Sequence, residues 1–285
     1  MREGKPSFTA AAVAAARAVA GVDPLAPSLV EGTLSWVVRA GRTGMVPAAA
    51  LNVATLGLLD HIEMRTRAID TAVREGVAAG AMQLVLLGAG LDARAWRMHE
   101  LANVHVFEVD HPSTQQYKRG RIGARRPEAR DVTFVSVDFA RDSLQDELAR
   151  AGHDPDAVTF WIWEGVTPYL PMEAIRATLS DIASRSASGS RLAVTYATPL
   201  ATPLGPTFTR VALAGFRLVG EEIVGQLSTD AMHAELANVG FRVLDDASAR
   251  DWAGRYGRGR PRLMLVDERL AVAISDAPPR AVRVA

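Results

Sequence analysis

The residues best placed to do chemistry begin at Gly88-Ala89-Gly90-Leu91-Asp92-Ala93, which follows the apolar run Gln83-Leu84-Val85-Leu86-Leu87 and opens a helical pattern. A glycine turn between strand and helix can cradle a nucleotide-like ligand, because without a Cβ the backbone turns sharply and approaches the ligand closely. The plainer reading is an ordinary strand-to-helix turn. Asp110 stands 20 positions after Gly90, closing Phe107-Glu108-Val109-Asp110. A carboxylate at the carboxyl end of the neighbouring strand can accept both hydroxyl protons of a ribose. Glu108 points the same way from deeper in the sheet, where pairing with a helix is its plainer role.

Two further acids recur at strand ends. In Val137-Asp138-Phe139 the Asp138 carboxylate, the Phe139 N–H and the Phe139 ring together offer an acceptor, a donor and an apolar wall, which is what an adenine needs. The plainer reading is that Asp138 caps a helix starting near Ser143 or that Phe139 belongs to the core. Trp161-Ile162-Trp163-Glu164-Gly165 puts Glu164 where it can receive an ammonium group, and Tyr169 follows, contacting a substrate or simply packing. His111, beside Asp110, is the one histidine next to a motif and a candidate base, although a histidine at a helix start is more often structural. The other histidines show no HxH or HExxH spacing, so no metal site is expected.

These positions demand an α/β scaffold. Apolar runs at 83–87, 104–109, 132–137, 158–163 and 191–196 read as strands buried on both faces, alternating with helices, the pattern of a doubly wound, mostly parallel sheet. Two final strands are expected at 241–244 and 262–266, for seven in all. Helical stretches are expected at 7–20, 29–39 and 48–74 before the sheet, and at 207–225 and 230–239 after it. The expected organisation is a single domain over 1–285: an N-terminal helical cap (1–80), a cofactor-binding core (81–198), a lid insertion and helix (199–237), and final strands with a tail (238–285).

Bulk composition narrows the function. Lys+Arg and Asp+Glu both number 32, which gives no electrostatic drive toward nucleic acid. The basic run Arg255 to Arg262 has the glycines and proline of a solvated turn. Cysteine is absent, excluding disulfides and thiolate chemistry. Arg17 interrupts an alanine-rich start that would otherwise hint at a secretory signal, and no stretch reaches the roughly 20 apolar residues of a membrane span. A cytoplasmic location is expected, with oligomeric state open.

Taken together, Leu87-Gly88-Ala89-Gly90-Leu91-Asp92-Ala93-Arg94, Phe107 to Asp110, Asp138-Phe139 and Glu164 to Leu170 resemble, in order and spacing, the motifs of the leucine carboxyl methyltransferase-like family. That family includes bacterial polyketide O-methyltransferases. The resemblance implies a Rossmann-like methyltransferase sheet and S-adenosylmethionine as cofactor. It also implies that an arginine of the Arg65-Thr66-Arg67 segment holds the cofactor's carboxylate; Arg65 aligns with it, with Arg67 close by. Gly88, Ala89, Gly90, Asp110, Asp138, Phe139 and Glu164 complete the implied cofactor site, and the N-terminal helices with the insertion after the fifth strand are implied to cover the substrate. Phe139 replaces a more frequent leucine, and Val166-Thr167-Pro168 replaces a more apolar stretch. The expected acceptor is a carboxylic acid or a phenolic polyketide. The alternatives are an NAD-dependent oxidoreductase, whose loop has the same physics, and a cofactor-binding regulatory protein without turnover.

Overall fold

The computed structural model describes residues 8–138, 141–199, 224–257 and 268–276. Seven strands form one sheet in the order β3-β2-β1-β4-β5-β7-β6: β1 (Gln83–Leu87), β2 (His105–Asp110), β3 (Asp131–Ser136), β4 (Thr159–Trp163), β5 (Arg191–Ala197), β6 (Phe241–Ser248) and β7 (Glu268–Ser275). Strands β1 to β5 pair in parallel, whereas β7 runs antiparallel to both β5 and β6. The order reverses between β1 and β4, whose ends meet in register at Leu87 and Trp163. A crevice opens outside the carboxyl ends of the strands at such a switch point.

The period-2 alternation of the strands sorts the core into two layers. Leu84, Leu86, Val106, Phe160 and Ile162 face one side, where α1 (Phe8–Ala20), α2 (Ala26–Leu29), α3 (Thr33–Arg42) and α5 (Leu58–Ala78) contribute buried residues. Val85, Leu87, Phe107, Val109, Trp161 and Trp163 face the other, packing against helices Leu144–Arg150, Met172–Ser184 and Thr229–Asn238. Trp161 and Trp163 are fully buried, and side chains of this size contribute on the order of 2–3 kcal/mol each by leaving water.

The helix expected over 48–74 is two helices, α4 (Ala48–Ala54) and α5, because Leu56 and Gly57 adopt left-handed φ values of 53° and 85° and end the first before the second begins. The stretch expected from 29 to 39 corresponds to α3, which starts at Thr33 and runs to Arg42, while Leu29 closes α2. Strand β6 runs on to Ser248 through a register shift between Val243 and Asp245. The final strand expected at 262–266 lies outside the described residues; the strand observed is Glu268–Ser275, in a stretch expected to be tail. Most of the expected lid, including the helix at 207–225, also lies outside them.

Candidate functional site

At the end of β1 the chain enters the glycine turn with Gly88 at φ 66° and Gly90 at φ 51°. Both values lie in the left-handed region that favours glycine. Space enforces the same choice, since a Cβ on Gly88 would stand 2.7 Å from Cγ2 of Val166, in the loop after β4. Helix α1 covers the turn, with Cβ of Ala10 3.5 Å from where a Cβ on Gly90 would be. The Ala89 N–H donates to the carbonyl of Val109 (3.0 Å), tying the turn to β2.

Asp110 ends β2 beside this turn. One carboxylate oxygen accepts the Gly90 N–H at 2.5 Å and the other accepts the His111 N–H at 2.6 Å. Burial raises its carboxyl above the ordinary value, against the pull of those two N–H groups. Glu108 is directed elsewhere: it is buried and paired with Nζ of Lys118 at 2.6 Å, so the helix-paired reading holds for it. Asp138 follows β3 next to this corner, where the Val137 N–H donates to the Asp110 carbonyl (3.0 Å). Its own N–H donates to the Asp142 carboxylate (2.8 Å), and its carboxylate lies 3.8 Å from Nε of Arg141. The cap of the helix starting at Leu144 is Ser143, not Asp138. Phe139 lies outside the described residues.

Glu164, just past β4, is engaged by three arginines. Oε1 accepts from Nη2 of Arg17 on α1 (2.7 Å) and from Nε of Arg65 on α5 (2.9 Å), while Oε2 accepts from Nη1 of Arg94 (2.9 Å). Burial alone would raise its carboxyl, but the charges of Arg17, Arg94 and Arg65 overcome this and hold it well below the usual carboxylate range. Behind Arg65, Glu268 at the start of β7 accepts from its Nη1 with both oxygens (3.2 and 3.0 Å) and meets Nε2 of His61 (2.5 Å). Burial would likewise raise the Glu268 carboxyl, yet Arg65 and His61 draw it down to about 2. Arg94, wholly buried, is itself held by Asp92 and by Asp70 (2.7 Å).

The geometry therefore separates the two candidate arginines. Arg65 is buried and faces Glu164, whereas Arg67 is partly exposed and pairs with Glu63 (3.1 Å). Sequence reasoning assigned no role to Arg17, Arg94 or Glu268. A signal existed for Arg17, a charge set in an alanine-rich helix that ends up buried. Tyr169 is half-buried in the turn Thr167–Tyr169, which Thr167 anchors by donating from its hydroxyl to the Thr195 carbonyl (2.7 Å).

His111 is the N-cap of helix Pro112–Ile122: its Nδ1 accepts the Ser113 N–H at 3.2 Å. His111→Ala is therefore expected to cost about 1 kcal/mol of stability, the worth of a cap, and to leave cofactor affinity within about twofold. Denaturant unfolding and calorimetry on the same variant check both halves; a loss of binding larger than the loss of stability would give His111 a role in the site.

Burial raises the Glu108 carboxyl to about 7 from its ordinary value of 4.5, although Lys118 opposes the shift. The folded chain then binds that proton more tightly than the unfolded one, so this group's contribution to stability falls as pH rises from about 4.5 to about 7 and is flat beyond. Glu108→Gln cannot ionise and is expected to remove that part of the slope, read as urea midpoints at pH values spanning the window. Parallel profiles for the two proteins would contradict the assignment.

Among the described residues no group of histidines and acids could hold a metal ion, and no helix is long and apolar enough to cross a membrane.

Both the sequence and the fold of the chain are similar to those of known proteins. A family model described as leucine carboxyl methyltransferase matches residues 8–183. A relative from Mycobacteroides abscessus, provisionally named an S-adenosyl-L-methionine-dependent methyltransferase, is 33% identical, with 95% of this chain and 88% of the relative covered. A relative of the same naming from Streptomyces avermitilis is 39% identical, covering 47% of each chain, and one from Frankia alni is 40% identical, covering 48% of each. For those two, the matched stretch spans about half of the relative's length. Among solved structures, a DUF574 family protein from Streptomyces avermitilis superposes with a TM-score of 0.64 at 17% identity, over 95% of this chain and 98% of that one. A provisionally named methyltransferase from Thermobifida fusca gives 0.60 at 16% identity, over 96% of each. At such identities the two structures establish the shared fold, and the family rests on the sequence matches. With its residues 8–183 fitting that family and one-third identity extending over 95% of its length, this chain belongs to the leucine carboxyl methyltransferase family.

Proposed function

We propose that the chain is an S-adenosylmethionine-dependent O-methyltransferase acting on a carboxylate, or failing that a phenolic hydroxyl, of a small-molecule metabolite such as a polyketide. The observation that carries this reading is the donor set gathered at the switch point. A carboxylate (Glu164) and two guanidinium groups (Arg17 and Arg65) stand at the end of β4, while the glycine turn and Asp110 stand at the ends of β1 and β2.

These residues fit the cofactor on chemical grounds. Its amino-acid end carries an ammonium and a carboxylate, which match Glu164 on one side and the arginines on the other. Its ribose diol donates to a carboxylate such as Asp110, and the cradle that a Cβ on Gly88 would fill admits the ligand's backbone approach. Asp138, with Phe139, is assigned to the adenine.

When bound, S-adenosylmethionine supplies a methyl carbon on a sulfonium. The chain's own part is positioning. Arg65 and Glu164, locked by buried partners, fix one end of the cofactor; Asp110 and the glycine turn fix the middle; and α1, lying over the turn, excludes water. Orientation of this kind can lower a barrier by several kcal/mol. A carboxylate acceptor, with a reference pKa of about 4, arrives ionised and needs no general base, whereas a phenol at about 10 gains from one. With His111 employed as a cap, a carboxylate acceptor is favoured.

The test is S-adenosylhomocysteine formation against a panel of carboxylic acids and phenols over a pH series. A carboxylate acceptor gives a rate flat above about pH 5. A rate climbing toward pH 9–10 with phenols only would select the phenolic reading. Tight cofactor binding with no turnover on either class would favour a binding module instead.

A further inference from the structure

Helix α5 carries a second feature, on the side that does not face Glu164. A cleft of about 440 Å³ is lined by Arg67, Asp70 and Arg74 of this helix together with Arg97, Arg255 and Tyr256. Four arginines and one acid line this cleft; each arginine is paired with a carboxylate, Arg97 with two, and none of the four touches Glu164. Arg65, only two residues before Arg67, points instead to Glu164 and Glu268.

The arginines are not equally committed. Arg97 uses both terminal nitrogens on Asp70 (2.6 and 2.9 Å), and Arg255 uses both on Asp245 (2.6 and 3.0 Å). Arg67 and Arg74 each donate through Nε alone, to Glu63 (3.1 Å) and to Glu100 (2.6 Å). Among the described residues, the terminal nitrogens of these two donate to no other side chain. The one acid of the lining is already neutralised twice, by Arg94 and by Arg97. Its charge therefore does little to repel an incoming anion. The pairs Arg74–Glu100 and Arg255–Asp245 are also about half exposed on the arginine side. Exposed pairs are worth about 0–1 kcal/mol and exchange readily for a better anion.

Spacing selects the kind of anion. Positions 67 and 74 lie almost two helical turns apart on one face of α5, about 10 Å along the axis. Both side chains line the same cleft, so two linked anionic groups there can each meet one guanidinium fork, whereas a single phosphate engages only one. We propose that this cleft is a binding site for a diphosphate-bearing small molecule, with Arg67 and Arg74 as its principal ligands. It is separate from the candidate methyl-transfer site and does not depend on that assignment.

Calorimetric titration of inorganic pyrophosphate into the full chain at low salt, without other cofactor, tests this. Submillimolar binding is expected, with orthophosphate at least tenfold weaker. The double variant Arg67→Gln/Arg74→Gln is expected to raise the pyrophosphate Kd at least tenfold, whereas Asp110→Ala leaves it unchanged. Arg67→Lys/Arg74→Lys, which keeps both charges and loses the forks, provides the milder variant and is expected to weaken binding severalfold. No heat at millimolar pyrophosphate, an unaltered Kd in the double glutamine variant, or displacement of pyrophosphate by S-adenosylhomocysteine would each overturn the proposal.

Discussion

Asp110→Ala is expected to weaken S-adenosylhomocysteine binding at least a hundredfold while leaving the chain folded. The carboxylate is assigned to the ribose diol, and two hydrogen bonds to a charged group are worth about 1.5 kcal/mol each or more, so their loss corresponds to two decades in Kd. A second effect acts in the same direction. Asp110 accepts the N–H groups of Gly90 and His111, so its removal also frees the glycine turn that the cofactor must rest on. Asp110→Asn separates the two effects: it keeps an acceptor for the turn but loses the charge, and should fall between the wild type and the alanine variant. Calorimetry on the three proteins is the check. An alanine variant within threefold of wild type would remove Asp110 from the cofactor site.

The second large effect concerns stability. Glu164→Ala removes the common partner of Arg17, Arg65 and Arg94, leaving buried guanidinium groups to face one another. Breaking a buried pair by deleting one partner costs about 3–5 kcal/mol, because the survivor stays charged in a place without water. Here the lower end is expected. Arg65 keeps Glu268, and Arg94 keeps Asp70 and Asp92. Arg17 is the most exposed to the loss, since its next carboxylate, Asp92, is 3.6 Å away. The melting temperature should drop by on the order of 10 °C, and helix α1, pinned through Arg17, should lose amide protection before the sheet does. Glu164→Gln keeps the volume and part of the hydrogen bonding and should be milder. A melting temperature unchanged in the alanine variant would mean that the arginines do not depend on this carboxylate.

Much of this site was legible in the sequence because its parts sit at strand ends, where position in a parallel sheet dictates what a side chain can reach. Five apolar runs gave β1 to β5, and the residues closing β1, β2 and β4 are the ones that meet at the switch point. What escaped was the arginine clamp. Arg17 and Arg94 pair across 147 and 70 positions with Glu164, and Arg65 meets Glu268 across 203. No local pattern encodes such choices, which emerge only when α1, α5 and β7 pack against the sheet. The split between α4 and α5 was missed for a different reason: the helical periodicity continues through a left-handed Leu56-Gly57 turn that only the backbone reveals. The last strand shows the limit of apolar runs as markers. Its Leu270-Ala271-Val272-Ala273-Ile274 is an apolar run too, but the expected strand falls on Arg262 to Val266, which lies outside the described residues.

The central claim is that the switch-point crevice binds a sulfonium cofactor, and titrating S-adenosylhomocysteine and NAD separately into the wild-type protein tests it most directly. The account predicts saturable, one-to-one binding of S-adenosylhomocysteine in the micromolar range with no detectable heat from NAD. Binding of NAD without S-adenosylhomocysteine would contradict it.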